Sequence, residues 1–96
     1  MNDPHARDGG AGDPFLRRVL ELPEGYGRGT FDGGRWSLVV RRSPDGRRVT
    51  LWGEELGGPD RVSANVYRLR SGCRLKPCEM PEARVRRFVR DYRPDT

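Results

Sequence analysis

Trp36 and Trp52, with Arg42 and Arg48 close by in sequence, are the residues best placed to do chemistry, and that chemistry is adhesive rather than catalytic. An indole offers a flat π-face on which an unpaired base stacks, while a guanidinium beside it holds phosphate oxygens. A second cluster, Arg68, Arg70, Arg74 and Lys76, follows within one predicted hairpin and adds positive charge without rings. These eight residues are the candidate nucleic-acid-binding set. The competing reading makes both indoles ordinary core, covered by Phe15, Leu16, Val19 and Leu20.

Other constellations fall short of a reaction. The single histidine, His5, lies in a glycine-rich leader, and two cysteines on one segment do not complete a tetrahedral metal site. Without a histidine in the folded part, a nucleophile lacks its usual base. Cys78, just ahead of a helix start among arginines, sits where a thiol pKa can fall, but a small residue filling a strand-to-helix corner is the simpler account. Glu54 and Glu55 are adjacent, so on a strand they point to opposite faces and cannot cooperate as acid and base. Gly25-Tyr26-Gly27-Arg28-Gly29 alternates glycine without the strand-before and helix-after context of a phosphate cradle. A non-enzyme without cofactor or metal is the expectation.

Charge distribution says more than charge. Of nineteen basic residues eighteen are arginine, a bias that nucleotide composition alone can produce, so the net +5 by itself is weak evidence for a polyanionic partner. Met1 to Gly34 carries four basic and six acidic residues, whereas Arg35 to Gly53 carries five and one. Glu54 to Gly72 balances at three each, and Cys73 to Thr96 carries seven and four. Positive charge therefore gathers on the first hairpin and the last third. No apolar run approaches a membrane span or a secretory signal, and Cys73 and Cys78 are too far apart along a strand to bridge. A reduced, cytoplasmic protein is expected.

The elements that must position these groups can be read in order. Residues 1–13 hold no large apolar side chain beyond Met1 and read as a flexible tail, 14–93 as one α+β domain, and 94–96 as a second tail. Asp13-Pro14 is an N-cap followed by proline at the first helical position, and Pro23 stops that helix after about two turns. Glu24 to Gly29 reads as a connector, with a short extra strand allowed at Thr30 before a turn at Asp32-Gly33-Gly34. Ser43-Pro44-Asp45-Gly46 predicts a hairpin with Ser43 opposite Arg47. That register puts Trp36, Leu38, Val40, Thr50 and Trp52 on one face, with Arg42 and Arg48 near the turn. Ser37, Val39, Arg41, Val49 and Leu51 take the other.

Glu54 to Asp60 reads as a loop. The second hairpin runs from Val62 to Leu69 and from Cys73 to Lys76. Apolar matching favours a three-residue turn that aligns Tyr67 with Leu75 and clusters Arg68, Arg70, Arg74 and Lys76 on the opposite face. From Pro81, Val85, Phe88, Val89 and Tyr92 form a helical apolar stripe, ended by Pro94. The expected architecture is a four-stranded antiparallel sheet, five at most, with the C-terminal helix on one face. The N-terminal helix caps the other face or docks on a second copy.

Four strands leading through Leu75 to Cys78 into Met80-Pro81-Glu82 and one helix resemble, in topology, the ββββα single-stranded-nucleic-acid-binding families of the PUR, Whirly and transcriptional-coactivator type. The resemblance spans Trp36 to Tyr92. It implies a dimer that binds strands on a curved sheet, and it carries no functional position across. Two uses follow: a dimeric nucleic-acid-binding module, or a protein-interaction domain whose partner, a second copy included, covers the same apolar face.

Overall fold

The computed structural model describes residues 13–95. Apart from Asp13, the leader predicted to be flexible lies outside the described residues, as does Thr96. The elements are α1 (Pro14–Glu21), β1 (Gly25–Phe31), β2 (Gly34–Arg42), β3 (Arg48–Glu55), β4 (Arg61–Leu69), β5 (Gly72–Pro77), α2 (Glu82–Asp91) and β6 (Arg93–Pro94). They form one antiparallel sheet of six strands in the order β5-β4-β3-β2-β1-β6, a meander closed at one edge by the chain end. The α+β class holds; the expected strand count of four or five does not.

The differences lie at one edge: the short strand allowed at Thr30 is a full strand, and β6 is additional. The glycine alternation expected to be a connector is β1, joined to β2 by a two-residue turn at Asp32-Gly33 with φ of 55° and 80°. Positive φ at both positions suits the right-handed twist of a hairpin, which is why Asp-Gly stands there. Gly29 faces the core, and a Cβ there would meet the carbonyl of Arg93 and, at 2.7 Å, Cζ and the hydroxyl of Tyr92. Glycine is thus what lets β6 and the Tyr92 ring lie against β1. Pro94 and Asp95, read as tail, are held there by register with Gly29 and by the Asp95 amide donating to Arg28 at 2.8 Å.

Both helices cover the same face of the sheet. The helix expected on the opposite face, or on a second copy, instead packs beside α2. Asp13 caps α1 as predicted, its Oδ1 accepting from the Phe15 and Leu16 amides. Arg18 of α1 donates from Nε to the Val89 carbonyl at 3.1 Å and from Nη2 to that of Tyr92, locking the two helices together at the end of α2. The core between the layers joins Leu16, Val19 and Leu22 to Val85, Phe88, Val89 and Tyr92, over Trp36, Leu38, Val40, Val49, Leu51, Val62, Ala64 and Val66 of the sheet. An aromatic cluster anchors it: Phe88 lies 4.9 Å from Phe31, 5.2 Å from Trp36 and 5.1 Å from Tyr92, centroid to centroid.

Both hairpin registers differ from expectation by one residue, and each shift turns over side chains. In the first, Arg42 pairs with Val49 and Val39 with Trp52. Ser43 Oγ accepts from the Arg48 amide at 3.0 Å, and Asp45 Oδ1 accepts from Ser43 Oγ at 2.7 Å and from the Arg47 amide at 2.9 Å. These side-chain bonds admit Arg47 into the loop, where the simpler turn would have placed it opposite Ser43. In the second hairpin Arg68 pairs with Cys73 and Val66 with Leu75. Gly72, at φ 139°, ends a turn of only two residues, Arg70 and Ser71. Because side chains alternate, a one-residue slip exchanges the faces of a whole strand.

Candidate nucleic-acid interface

The slip separates the two tryptophans. Trp36, 3% exposed, packs edge-on against Phe31 at 5.5 Å beneath α2, so its proposed stacking role is excluded by burial. It is core, yet covered by the C-terminal helix rather than by the opening one. Trp52 faces the other way and is 44% exposed on β3, well inside the sheet. Among the described residues neither helix packs on that side.

The remaining predicted residues divide in the same manner. Arg42 lies on the helix side, where Nη2 donates to the Leu20 and Leu22 carbonyls at 3.0 Å each and the guanidinium meets Glu24 at 3.6 Å. It closes the C-terminal end of α1, satisfying carbonyls that have no intrahelical partner. Arg68 shares the register face of Cys73 and reaches the Gly46 carbonyl at 3.4 Å, while Arg70 sits in the tight turn. Arg48, Trp52, Arg74 and Lys76 are together on the open face.

Register brings to them residues that the sequence reading had not selected. Lys76 aligns with Asn65, Asn65 with Thr50, and Thr50 with Arg41. Arg74 aligns with Tyr67 and Tyr67 with Arg48. Trp52 stands between Ser63 and Val39, and Val39 is opposite Tyr26. On the far side of that apolar row, Arg61, Glu54, Ser37 and Arg28 line up across four strands. The shorter turn expected from the sequence puts Arg41 on the opposite face; the observed register puts it beside Thr50 on the open one. Its signal was present in Asp45 and Ser43, whose loop bonds set the longer turn.

Electrostatically the open face is one-sided. Among the described residues Arg41, Arg48, Arg61, Arg74 and Lys76 make no ion pair, and Glu54 is the one acid in the strands' outward rows. Arg35, at the margin, is occupied: it grips Asp95 through two bonds of 3.0 and 2.6 Å, which holds the Asp95 carboxyl below its ordinary range. Thr50 donates to Asn65 Oδ1 at 2.7 Å, making a fixed polar floor between Arg41 and Lys76. A shallow cleft beside it is lined by Tyr67, Leu69, Arg74 and Lys76. The face thus offers a projecting indole, the exposed Tyr26 ring on β1, a further ring in a cleft, and a set of cations that outnumbers its one carboxylate, Glu54 opposite Arg61.

Compared with known proteins, the chain matches no family model, no curated protein and no solved structure.

Proposed function

We propose that this chain is a non-catalytic nucleic-acid-binding module that works through the open face of its sheet. Trp52 supplies the stacking surface, and Arg41, Arg48, Arg61, Arg74 and Lys76 take the phosphates. The observation that carries this reading is a set of five cations that make no ion pair among the described residues, arranged around a solvent-facing indole. Unpaired cations on one surface repel one another, and a polyanion relieves that repulsion while releasing its own condensed counterions.

Fluorescence anisotropy with labelled oligonucleotides across a salt series tests it. Five phosphate contacts predict a slope of log affinity against log salt of about −3.5 for a single strand and about −4.5 for a duplex. Trp52 emission should change on binding while Trp36, sealed in the core, stays constant. The alternative is an assembly domain whose partner covers the same face, and the apolar exposure of Trp52 and of Leu69 at 48% is what favours it. Absence of oligonucleotide binding at low salt, with a dimer by light scattering, would select that alternative.

A further inference from the structure

We infer that the ligand of the open face is an unpaired polynucleotide strand, held by its bases at two separate places, Trp52 and the Tyr67 cleft. This rests on the nucleic-acid reading above and narrows it. Six strands at a spacing of about 4.8 Å make a face roughly 24 Å across, twice the approximately 12 Å width of a major groove. A sheet that wide does not enter a major groove, so an undeformed duplex laid on it meets it chiefly through phosphate ridges. Trp52, on β3 with strands on both sides, would then lie under the duplex with no base face to receive it, because paired bases hide their faces in the stack. An unpaired strand presents those faces.

The Tyr67 cleft supplies the second place. Its walls are an aromatic ring and the Leu69 side chain, its rim carries the cations of Arg74 and Lys76, and Arg48 stands opposite Tyr67 on the neighbouring strand. That combination fits one nucleotide, base against ring and aliphatic wall, phosphate on the rim. Trp52 pairs with Ser63, and Tyr67 lies four residues further along the same strand as Ser63. Four residues along and one strand across separate the two positions by about 14 Å. Neighbouring stacked bases are only about 3.4 Å apart, so the two rings engage bases drawn out of a common stack. The Thr50–Asn65 floor lies between them, flanked by Arg41 and Lys76, and the strand's backbone crosses there.

The test compares three labelled probes of ~12 nucleotides: an oligothymidylate, the same strand annealed to its complement, and an abasic phosphodiester strand. The unpaired strand should bind at least roughly tenfold more tightly than either of the others at the same salt. Trp52→Ala and Tyr67→Ala should each weaken the oligothymidylate roughly ten- to a hundredfold, leave the abasic strand unchanged, and be rescued by W52F and Y67F. The buried Trp36 remains in W52A as an emission reporter of an intact core. Equal affinity for duplex or abasic strand, with both alanine variants neutral, overturns this inference while leaving the phosphate-binding reading standing. Failure of all three probes at low salt overturns the nucleic-acid reading itself.

Discussion

On the helical side of the molecule Arg86 lies 2.8 Å from Glu82, Arg87 2.7 Å from Asp32, Arg84 3.2 Å from Asp60 and Arg90 2.8 Å from Asp91. Arg86 and Arg87 are also placed over the Phe15 and Phe31 rings, at 4.8 and 5.2 Å. The open face of the sheet carries a comparable number of cations, and among the described residues Arg41, Arg48, Arg61, Arg74 and Lys76 make no ion pair. The two surfaces contain the same residue type and differ in where their charge is spent. Ion pairs as exposed as those on α2 are screened by solvent and add little stability, so their main effect is to neutralise that face. In a chain this arginine-rich, counting guanidiniums identifies nothing; asking which ones lack a partner separates a solvated helix from a surface with an unmet electrostatic demand.

The largest effect that sharpens this contrast concerns the aromatics. Phe88→Ala removes the ring that touches Phe31, Trp36 and Tyr92, and should cost about 3–5 kcal/mol in urea denaturation, much of the stability of a domain this small. Trp52→Ala, removing a larger ring from the open face, should cost less than about 1 kcal/mol. Comparable losses would mean that Trp52 is structural and the two-sided division is false. Next in size is a charge test matched for net charge. Arg74→Glu with Lys76→Glu should reduce oligonucleotide affinity roughly a hundredfold or more at low salt, whereas Arg84→Glu with Arg87→Glu should reduce it only a few-fold. Equal losses in anisotropy titrations would show that bulk charge, not the sheet face, does the binding.

Why the division was only partly legible follows from particular residues. Periodicity placed both helices and all their buried positions, because an apolar stripe at Val85, Phe88, Val89 and Tyr92 is a local pattern. The cap at Asp13 and the run into each hairpin were local as well. Faces are different: they depend on one residue of register, which was set by Ser43 and Asp45 hydrogen-bonding across the loop and by Gly72 ending a turn of two residues. A strand with apolar residues on both sides, such as Trp36 to Val40, offers no alternation to correct the error. β1 was legible only at its Thr30 end. The glycines before it lower strand propensity, and the full strand rests on non-local partners: β2 along its whole length, and Tyr92 and Arg93, some sixty residues later, in the space that Gly29 leaves.

That last dependence gives a paired test of the covered edge. Gly29→Ala should cost about 1–3 kcal/mol, because its methyl would meet the Tyr92 ring and displace β6. Gly27→Ala, two residues earlier on the same face with nothing within 4 Å of the added carbon, should be neutral within about 0.5 kcal/mol or slightly stabilising. Amide exchange at Asp95, which donates to Arg28, should accelerate in the first variant and not in the second. Equal effects would detach the β1–β6 edge from the packing of Tyr92.

The smallest expected effect is chemical and again sets one side against the other. Cys73 sits on the covered face beneath the start of α1, where burial, and then its hydrogen bond to Asp13 Oδ2 at 3.4 Å, push its thiol up to about 11. Cys78 is exposed at the end of β5, its amide donating to Ser63 at 3.0 Å. At pH 8 a disulfide reagent should therefore react quickly with the exposed Cys78 and much more slowly with the partly buried Cys73, whose raised pKa keeps it in the unreactive thiol form. A folded pKa raised above the ordinary value of 9.0 favours the native state fully below pH 9, and that contribution is lost as pH climbs towards 11. Tyr92, raised mainly by its burial, adds to the loss in the same direction at the upper end of that window. Cys73→Ser should flatten the decline in denaturation midpoint between pH 9 and 10 while leaving Tyr92's share above it. An unchanged slope, together with equal reactivity of the two thiols, would mean that α1 does not stay seated on the sheet, and that the helical layer is less closed than its ion pairs imply.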